Sequence, residues 1–278
     1  MSETLPGAIA FIGGGNMARA LIAGLIASGC AAPKLRVSEP DRDRRAALAR
    51  DFPGLTVVSD NQQAAAGADC WILAVKPQQM AAVASGLAPL ALSVRPLVVS
   101  LAAGVRIGTL NQWLGRNLDM VRSMPNRAAM FRAGITGLCA APGTTGAARS
   151  RAEELFQAVG DTVWLERESD MDAVTAISGS GPAYVFLLIE MLEAAAVAEG
   201  LAADVARRLA LATVVGAAVT ARGSTDDAAT LRAQVTSPGG TTAAALAVLE
   251  AADLRGIFLQ AVHAGRRRAA ELAAATGG

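Results

Sequence analysis

Along the first half of the chain, short apolar runs alternate with stretches whose apolar residues recur at helical spacing. Residues 8–12, 35–38, 56–58, 70–75, 97–100 and 119–123 read as buried strands, and 16–28 and 42–51 as helices, the first stopped at Gly29. Residues 135–140 and 162–165 add two candidate edge strands. Strand–helix alternation of this kind predicts a doubly wound, mostly parallel sheet covered on both faces. The pattern changes after about Glu166. Helical periodicity alone follows, over 171–177, 182–199, 202–222, 225–235, 241–252 and 254–274. The chain therefore divides, as an expectation, into an α/β sheet domain at 1–167 and an all-α domain at 168–278.

Composition adds two constraints. Apolar residues make up 53% of the 278 positions and charged residues only 18%, against about 25% charged in an average domain. So little charge leaves apolar surface that a subunit interface would cover. The net charge of +1 gives no electrostatic footprint for nucleic acid or an anionic membrane. Cys30, Cys70 and Cys139 are odd in number and far apart, which fits inert thiols in a reducing, cytoplasmic setting and offers no metal spacing. Met1 to Gly7 lacks the basic-then-apolar order of a leader, and the greasy run 184–189 is too short to span a bilayer.

The first chemistry-bearing motif is Gly13-Gly14-Gly15-Asn16-Met17-Ala18, directly after the strand that ends at Ile12. Small residues at 13, 15 and 18 permit a tight turn, a close approach of backbone to a pyrophosphate, and close packing of the helix on the strand. The helix N-terminus then offers free amides and a positive dipole end to the phosphates. A nicotinamide dinucleotide is the expected ligand. The second strand ends at Ser38-Glu39-Pro40-Asp41-Arg42, where the adenosine ribose would lie. Glu39 suits the ribose hydroxyls of NADH. Ser38 with Arg42 or Arg44 suits the 2′-phosphate of NADPH, and both cofactors stay open. Ala74-Val75-Lys76-Pro77 and Ala102-Ala103-Gly104 end two further strands and so face the same crevice.

Two segments of the helical half combine hydroxyls with glycines before a helix: Ser178-Gly179-Ser180-Gly181-Pro182 and Thr236-Ser237-Pro238-Gly239-Gly240-Thr241-Thr242. Each is able to hold a small anion such as a carboxylate, and each is also what an ordinary capped turn contains. The one histidine, His263, falls in the last helical pattern beside arginines. With no catalytic triad or paired carboxylates in view, reduction of a protonated C=N bond fits well, because its nitrogen already carries the proton that a carbonyl reductase must donate.

These stretches resemble the pyrroline-5-carboxylate reductases. The resemblance rests on residues 11–18, on Ser178-Gly179-Ser180-Gly181-Pro182-Ala183-Tyr184, and above all on Val235-Thr236-Ser237-Pro238-Gly239-Gly240-Thr241-Thr242; Met124-Pro125-Asn126 also fits. It implies a Rossmann domain followed by a helical domain that dimerises, often within larger rings. It implies hydride transfer from NADPH or NADH to C5 of L-1-pyrroline-5-carboxylate, giving L-proline. By position, Thr242 would sit beside the substrate ring nitrogen, and Ser237, Gly239, Gly240 and Thr241 would hold its carboxylate. Ile12, Gly13, Gly14, Gly15, Asn16, Met17, Ser38, Glu39, Asn61, Ala74, Val75, Lys76, Pro77 and Ala102 would contact the cofactor. Glu39 departs from relatives that carry a small or basic residue there. The nearest rival, a hydroxy-acid dehydrogenase, needs a lysine shortly after a glycine pair, and 182–199 contains none. A non-catalytic dinucleotide sensor would leave the Thr236–Thr242 motif without a purpose.

Overall fold

The computed structural model describes residues 7–115 and 118–277; Met1 to Pro6, where the leader reading falls, lie outside them. Eight strands form one sheet: β1 (Ile9–Ile12), β2 (Leu35–Ser38), β3 (Thr56–Val58), β4 (Cys70–Leu73), β5 (Leu97–Ser100), β6 (Met120–Pro125), β7 (Gly134–Ala140) and β8 (Gly160–Trp164). Their order is β3-β2-β1-β4-β5-β6-β7-β8. The first six are parallel, β7 runs antiparallel to β6, and β8 is parallel to β7. The expected 70–75 strand stops at Leu73, while the expected 119–123 strand continues to Pro125.

Every residue of β1, β4 and β5 is buried, as a parallel sheet covered on both sides requires. Alternation along each strand sends side chains to two separate cores. Ile9, Phe11, Ile72 and Val99 join one; Ala10, Ile12, Trp71, Leu73 and Val98 join the other. The first core is roofed by α1 (Asn16–Ala27), α2 (Arg42–Asp51) and α6 (Gly146–Gln157) through Leu21, Ile22, Leu48, Leu155 and Phe156. The second is roofed by α3 (Asn61–Ala65), α4 (Pro77–Val94) and α5 (Ile107–Leu114) through Ala64, Met80, Leu87 and Leu110. Fully buried Trp71 satisfies its indole by donating to the carbonyls of Ala65 and Ala68, both at 3.1 Å. Buried Arg122 pairs with Glu168 at 2.9 Å, and the same carboxylate oxygen accepts from the Ile107 amide at 2.8 Å.

The remaining helices are α7 (Met171–Val174), α8 (Gly181–Ala198), α9 (Ala203–Gly223), α10 (Ala228–Gln234), α11 (Thr241–Ala251) and α12 (Leu254–Gly277). The helix expected at 225–235 begins at Ala228 because the Asp227 carboxylate caps it, accepting from the Thr230 amide at 2.8 Å. A larger difference lies at 171–182. Instead of a helix, a loop and a new helix, Thr175–Gly179 forms a π-helical turn and the chain stays helical over 168–198. The hydroxyls of Ser178 and Ser180 bond back to the carbonyls of Val174 and Thr175, so the expected anion-binding loop at 178–182 is a helical turn whose hydroxyls are already engaged.

Two compact units emerge. Residues 7–180 and 265–277 form the first, and 181–264 the second. The sheet itself ends with β8 at Trp164.

Candidate functional site

The first unit carries a cavity of about 610 Å³ at the carboxyl ends of β1, β2, β3 and β4. Strand order reverses between β1 and β4, which is where open α/β sheets bind ligands. Gly13, Gly14 and Gly15 line it from the end of β1; Ser38, Glu39, Pro40 and Arg44 from the end of β2; Ser59 and Asn61 after β3; Ala74, Val75 and Lys76 after β4. Gln78, Gln79, Ala82 and Val83 close it from α4.

The glycine loop is held from several sides. The Gly13 amide donates to the Ser38 carbonyl at 3.0 Å. Gly13 has φ +104°, and a β-carbon on it would come within 2.9 Å of the Ala74 carbonyl oxygen. The chain can therefore cross from β1 over the end of β4 only with glycine here. A β-carbon on Gly15, by contrast, would meet nothing within 4 Å, so the open space of the cavity begins at that residue. Gly15 is the N-cap of α1, which has no side-chain cap and no acidic residue in its first turn. Its leading amides are thus left for a phosphate. A cradle open over Gly15, beside an uncapped helix start, fits a dinucleotide pyrophosphate.

At the ribose end, Glu39 is 5% exposed. Its two carboxylate oxygens accept from the Gly14 amide and the Asp41 amide, each at 3.1 Å. The Ser38 hydroxyl, fully buried, donates to Asn61 Oδ1 at 2.7 Å. Arg45 donates to the carbonyls of Glu39 and Pro40 at 2.8 and 2.7 Å.

Nine of the cofactor residues expected from the sequence line this cavity: Gly13, Gly14, Gly15, Ser38, Glu39, Asn61, Ala74, Val75 and Lys76. The other five do not stand in its wall. Ile12 is fully buried in β1, Asn16 and Met17 form the first turn of α1, Pro77 begins α4, and Ala102 is 2% exposed after β5. Sequence reasoning missed Ser59, Gln78, Gln79, Ala82 and Val83. The last four sit at i, i+1, i+4 and i+5, one face of the helix after Lys76-Pro77, and that spacing was readable.

In the second unit, residues 235–240 link α10 to α11. Gly239 has φ +71°, and the Gly240 amide closes a turn onto the Ser237 carbonyl at 3.0 Å. Gly240 caps α11 without a side-chain hydrogen bond, and Thr241 and Thr242 form its exposed first turn. Ser237, Gly239, Gly240, Thr241 and Thr242 thus share one exposed turn at a helix start. A neighbouring hollow of about 350 Å³, lined by Arg232, Thr236 and Glu250 among others, has none of the five in its wall. His263 is exposed on α12. Among the described residues, no three His, Cys, Asp or Glu side chains gather where a metal could sit.

Known proteins place this architecture. Residues 168–272 match the model for pyrroline-5-carboxylate reductase dimerisation, and residues 8–104 match that for NADP oxidoreductase, coenzyme F420-dependent. A pyrroline-5-carboxylate reductase of Pseudomonas aeruginosa is 46% identical over 95% of this chain and 96% of its own length. One from Vibrio alginolyticus is 41% identical over 95% and 97%. Among solved structures, a pyrroline-5-carboxylate reductase of Coxiella burnetii superposes with a TM-score of 0.92 at 40% identity, covering 97% of this chain and 99% of that one. The Plasmodium falciparum enzyme with NADP bound gives 0.85 at 28% identity, over 98% and 100%. Likeness this close extends through the glycine loop, the sheet and the self-associating helices alike, and the chain belongs to the pyrroline-5-carboxylate reductase family.

Proposed function

We propose that this chain reduces L-1-pyrroline-5-carboxylate to L-proline, with hydride delivered from NADH or NADPH to C5 of the ring. The observation that carries the reading is the 46% identity to a pyrroline-5-carboxylate reductase through both units. The dinucleotide cavity with its open Gly15 supports it independently. When bound, the reduced nicotinamide supplies the hydride. The chain's own part is to position and to exclude water.

In this reading residues 1–167 hold the dinucleotide, and 168–278 hold substrate and associate with a second copy. Gly13, Gly14 and Gly15 receive the pyrophosphate with the first amides of α1, from Asn16 and Met17. Ser38, Glu39 and Asn61 surround the ribose end. Ala74, Val75, Lys76 and Pro77, with Ala102, flank the nicotinamide, and Ile12 ends the strand that carries the glycine loop to the cofactor. Ser237 and the amides of Gly239, Gly240 and Thr241 hold the substrate carboxylate, and the Thr242 hydroxyl orients the ring nitrogen. The nitrogen of the protonated imine already bears its proton, so the step needs no protein acid. Hydride forms the new C–H bond, the C=N π pair returns to nitrogen, and the product is a secondary amine.

The apolar surface supports self-association. Phe186, Leu187 and Met191 on α8 and Val215 and Val219 on α9 are more than half exposed, within the segment that matches a dimerisation model. The helical stretch 168–198 is long and apolar enough to cross a membrane by length and composition. A second copy, not lipid, covers it in this reading, and larger rings build on that pair. The cytoplasm, where reduced thiols and dinucleotides meet, is the assigned compartment, and a net charge of +1 suits neither nucleic acid nor anionic lipid.

The test is oxidation of NADH and of NADPH, in parallel, by the purified protein with L-1-pyrroline-5-carboxylate. Turnover with either bears out the reading. Folded protein that binds a dinucleotide and turns over neither would refute it.

A further inference from the structure

We infer that this chain discriminates in favour of NADH, and that Glu39 is the residue that makes the choice. The inference rests on the dinucleotide reading of the cavity at the ends of β1 to β4. Glu39 is the one acidic residue among those that line it, at the end of β2 where the adenosine ribose is bound in sheets of this order.

The carboxylate is held in place by backbone amides rather than by a cation. At 5% exposure it is fixed by the Gly14 and Asp41 amides, one on each oxygen, and each oxygen keeps a further lone pair. Those lone pairs suit the two hydroxyl donors of an unmodified ribose. A 2′-phosphate offers no donors and brings about two negative charges against a fixed carboxylate.

Several of the groups that would rescue a phosphate are engaged elsewhere. The start of α2 is occupied by the chain's own Asp41, whose carboxylate accepts from the Arg44 amide at 2.8 Å, and Asp43 adds a further acid in the first turn. Arg45 donates to the Glu39 and Pro40 carbonyls, and the buried Ser38 hydroxyl donates to Asn61. Arg44 is the one guanidinium in the cavity wall, and it is exposed to solvent, where its attraction is screened. A buried, fixed like charge outweighs a screened opposite one.

The experiment titrates NADH and NADPH separately into the full-length protein, by nucleotide fluorescence, and compares the two Kd values with the two kcat/KM values. The wild type is expected to favour NADH by roughly tenfold or more in both measures. Glu39→Gln keeps one acceptor for the Gly14 amide and removes the charge, and should move the Kd ratio toward NADPH by roughly tenfold. Arg44→Ala should change that ratio by less than about threefold. Tighter NADPH binding by the wild type would overturn the inference. So would a Glu39→Gln variant that loses affinity for both dinucleotides equally, since Glu39 would then act only by holding the loop. Failure of the wild type to bind either dinucleotide would instead sink the cofactor reading beneath it.

Discussion

Replacing Gly13 by alanine puts a carbon where the backbone leaves no room. The added atom would lie 2.9 Å from the Ala74 carbonyl oxygen and 3.0 Å from its carbon, short of the 3.4 Å at which ordinary contacts begin. Both neighbours are backbone at the end of β4, so neither can swing aside. The φ of +104° adds a conformational penalty, on the order of 1–2 kcal/mol for an L-residue in left-handed space. With the overpacking included, the strain comes to roughly 2–3 kcal/mol. It has two outlets. A loop that holds its shape passes the strain to folding, and stability falls by that amount. A loop that relaxes must be forced back by the dinucleotide, whose affinity then falls by roughly 30- to 150-fold, at 1.4 kcal/mol per factor of ten. The two losses, measured by denaturant unfolding and by dinucleotide titration on one variant, should sum to the strain. Gly15→Ala is the contrast. Its φ is −70° and its β-carbon meets nothing within 4 Å, so unfolding should be untouched while affinity drops. A Gly13→Ala protein with unchanged stability and unchanged affinity would refute the account of the loop.

Thr242→Ala should lower turnover while leaving dinucleotide affinity close to wild type; equal losses in both, from steady-state kinetics beside titration, would point to a folding defect instead. Glu168→Ala strands the guanidinium of Arg122, which is 5% exposed, and leaves the Ile107 amide without its acceptor; unfolding should come about 2–4 kcal/mol easier, and a change below about 0.5 kcal/mol would contradict the pairing. Burial pushes the Cys70 thiol up to about 12, and burial likewise raises Cys30 and Cys139. The thiolate is the reactive form, so a disulfide reagent at mildly alkaline pH should label these cysteines only after denaturant is added; rapid labelling of the native protein would show that one of them opens to solvent.

Much of the first unit was legible in the chain because parallel strands are greasy on both faces. The runs at 8–12 and 97–100 are apolar at nearly every position, 35–38 was read from Leu35 and Val37 despite Arg36, and the glycine loop followed from its place between a strand and a helix. The turn at 175–182 was misread for a physical reason. Ser, Gly and Pro signal a loop when each is taken alone. A π turn absorbs them, with Ser178 and Ser180 bonding back to carbonyls rather than forward to a ligand. Glu39 was legible as a residue but not as a fixed group, because only the folded chain brings the Gly14 amide against it. The α4 face at Gln78, Gln79, Ala82 and Val83 was readable from its helical spacing but carried no charged or nucleophilic side chain to draw attention to it.

The end of α12 has a consequence for how the protein is made. Residues 265–277 belong with the sheet unit, and the backbone of Ala273, itself 1% exposed, packs against Gly104 just beyond β5. The sheet unit is therefore interrupted in sequence, with the whole of 181–264 inserted before its last segment arrives. A nascent chain that has reached Ser180 holds all eight strands but lacks the helix that seats on Gly104. Contacts so distant along the chain form late and slowly. Completion of the dinucleotide-binding unit must then wait for synthesis of the helical insert, so that neither half is finished on the ribosome long before the other.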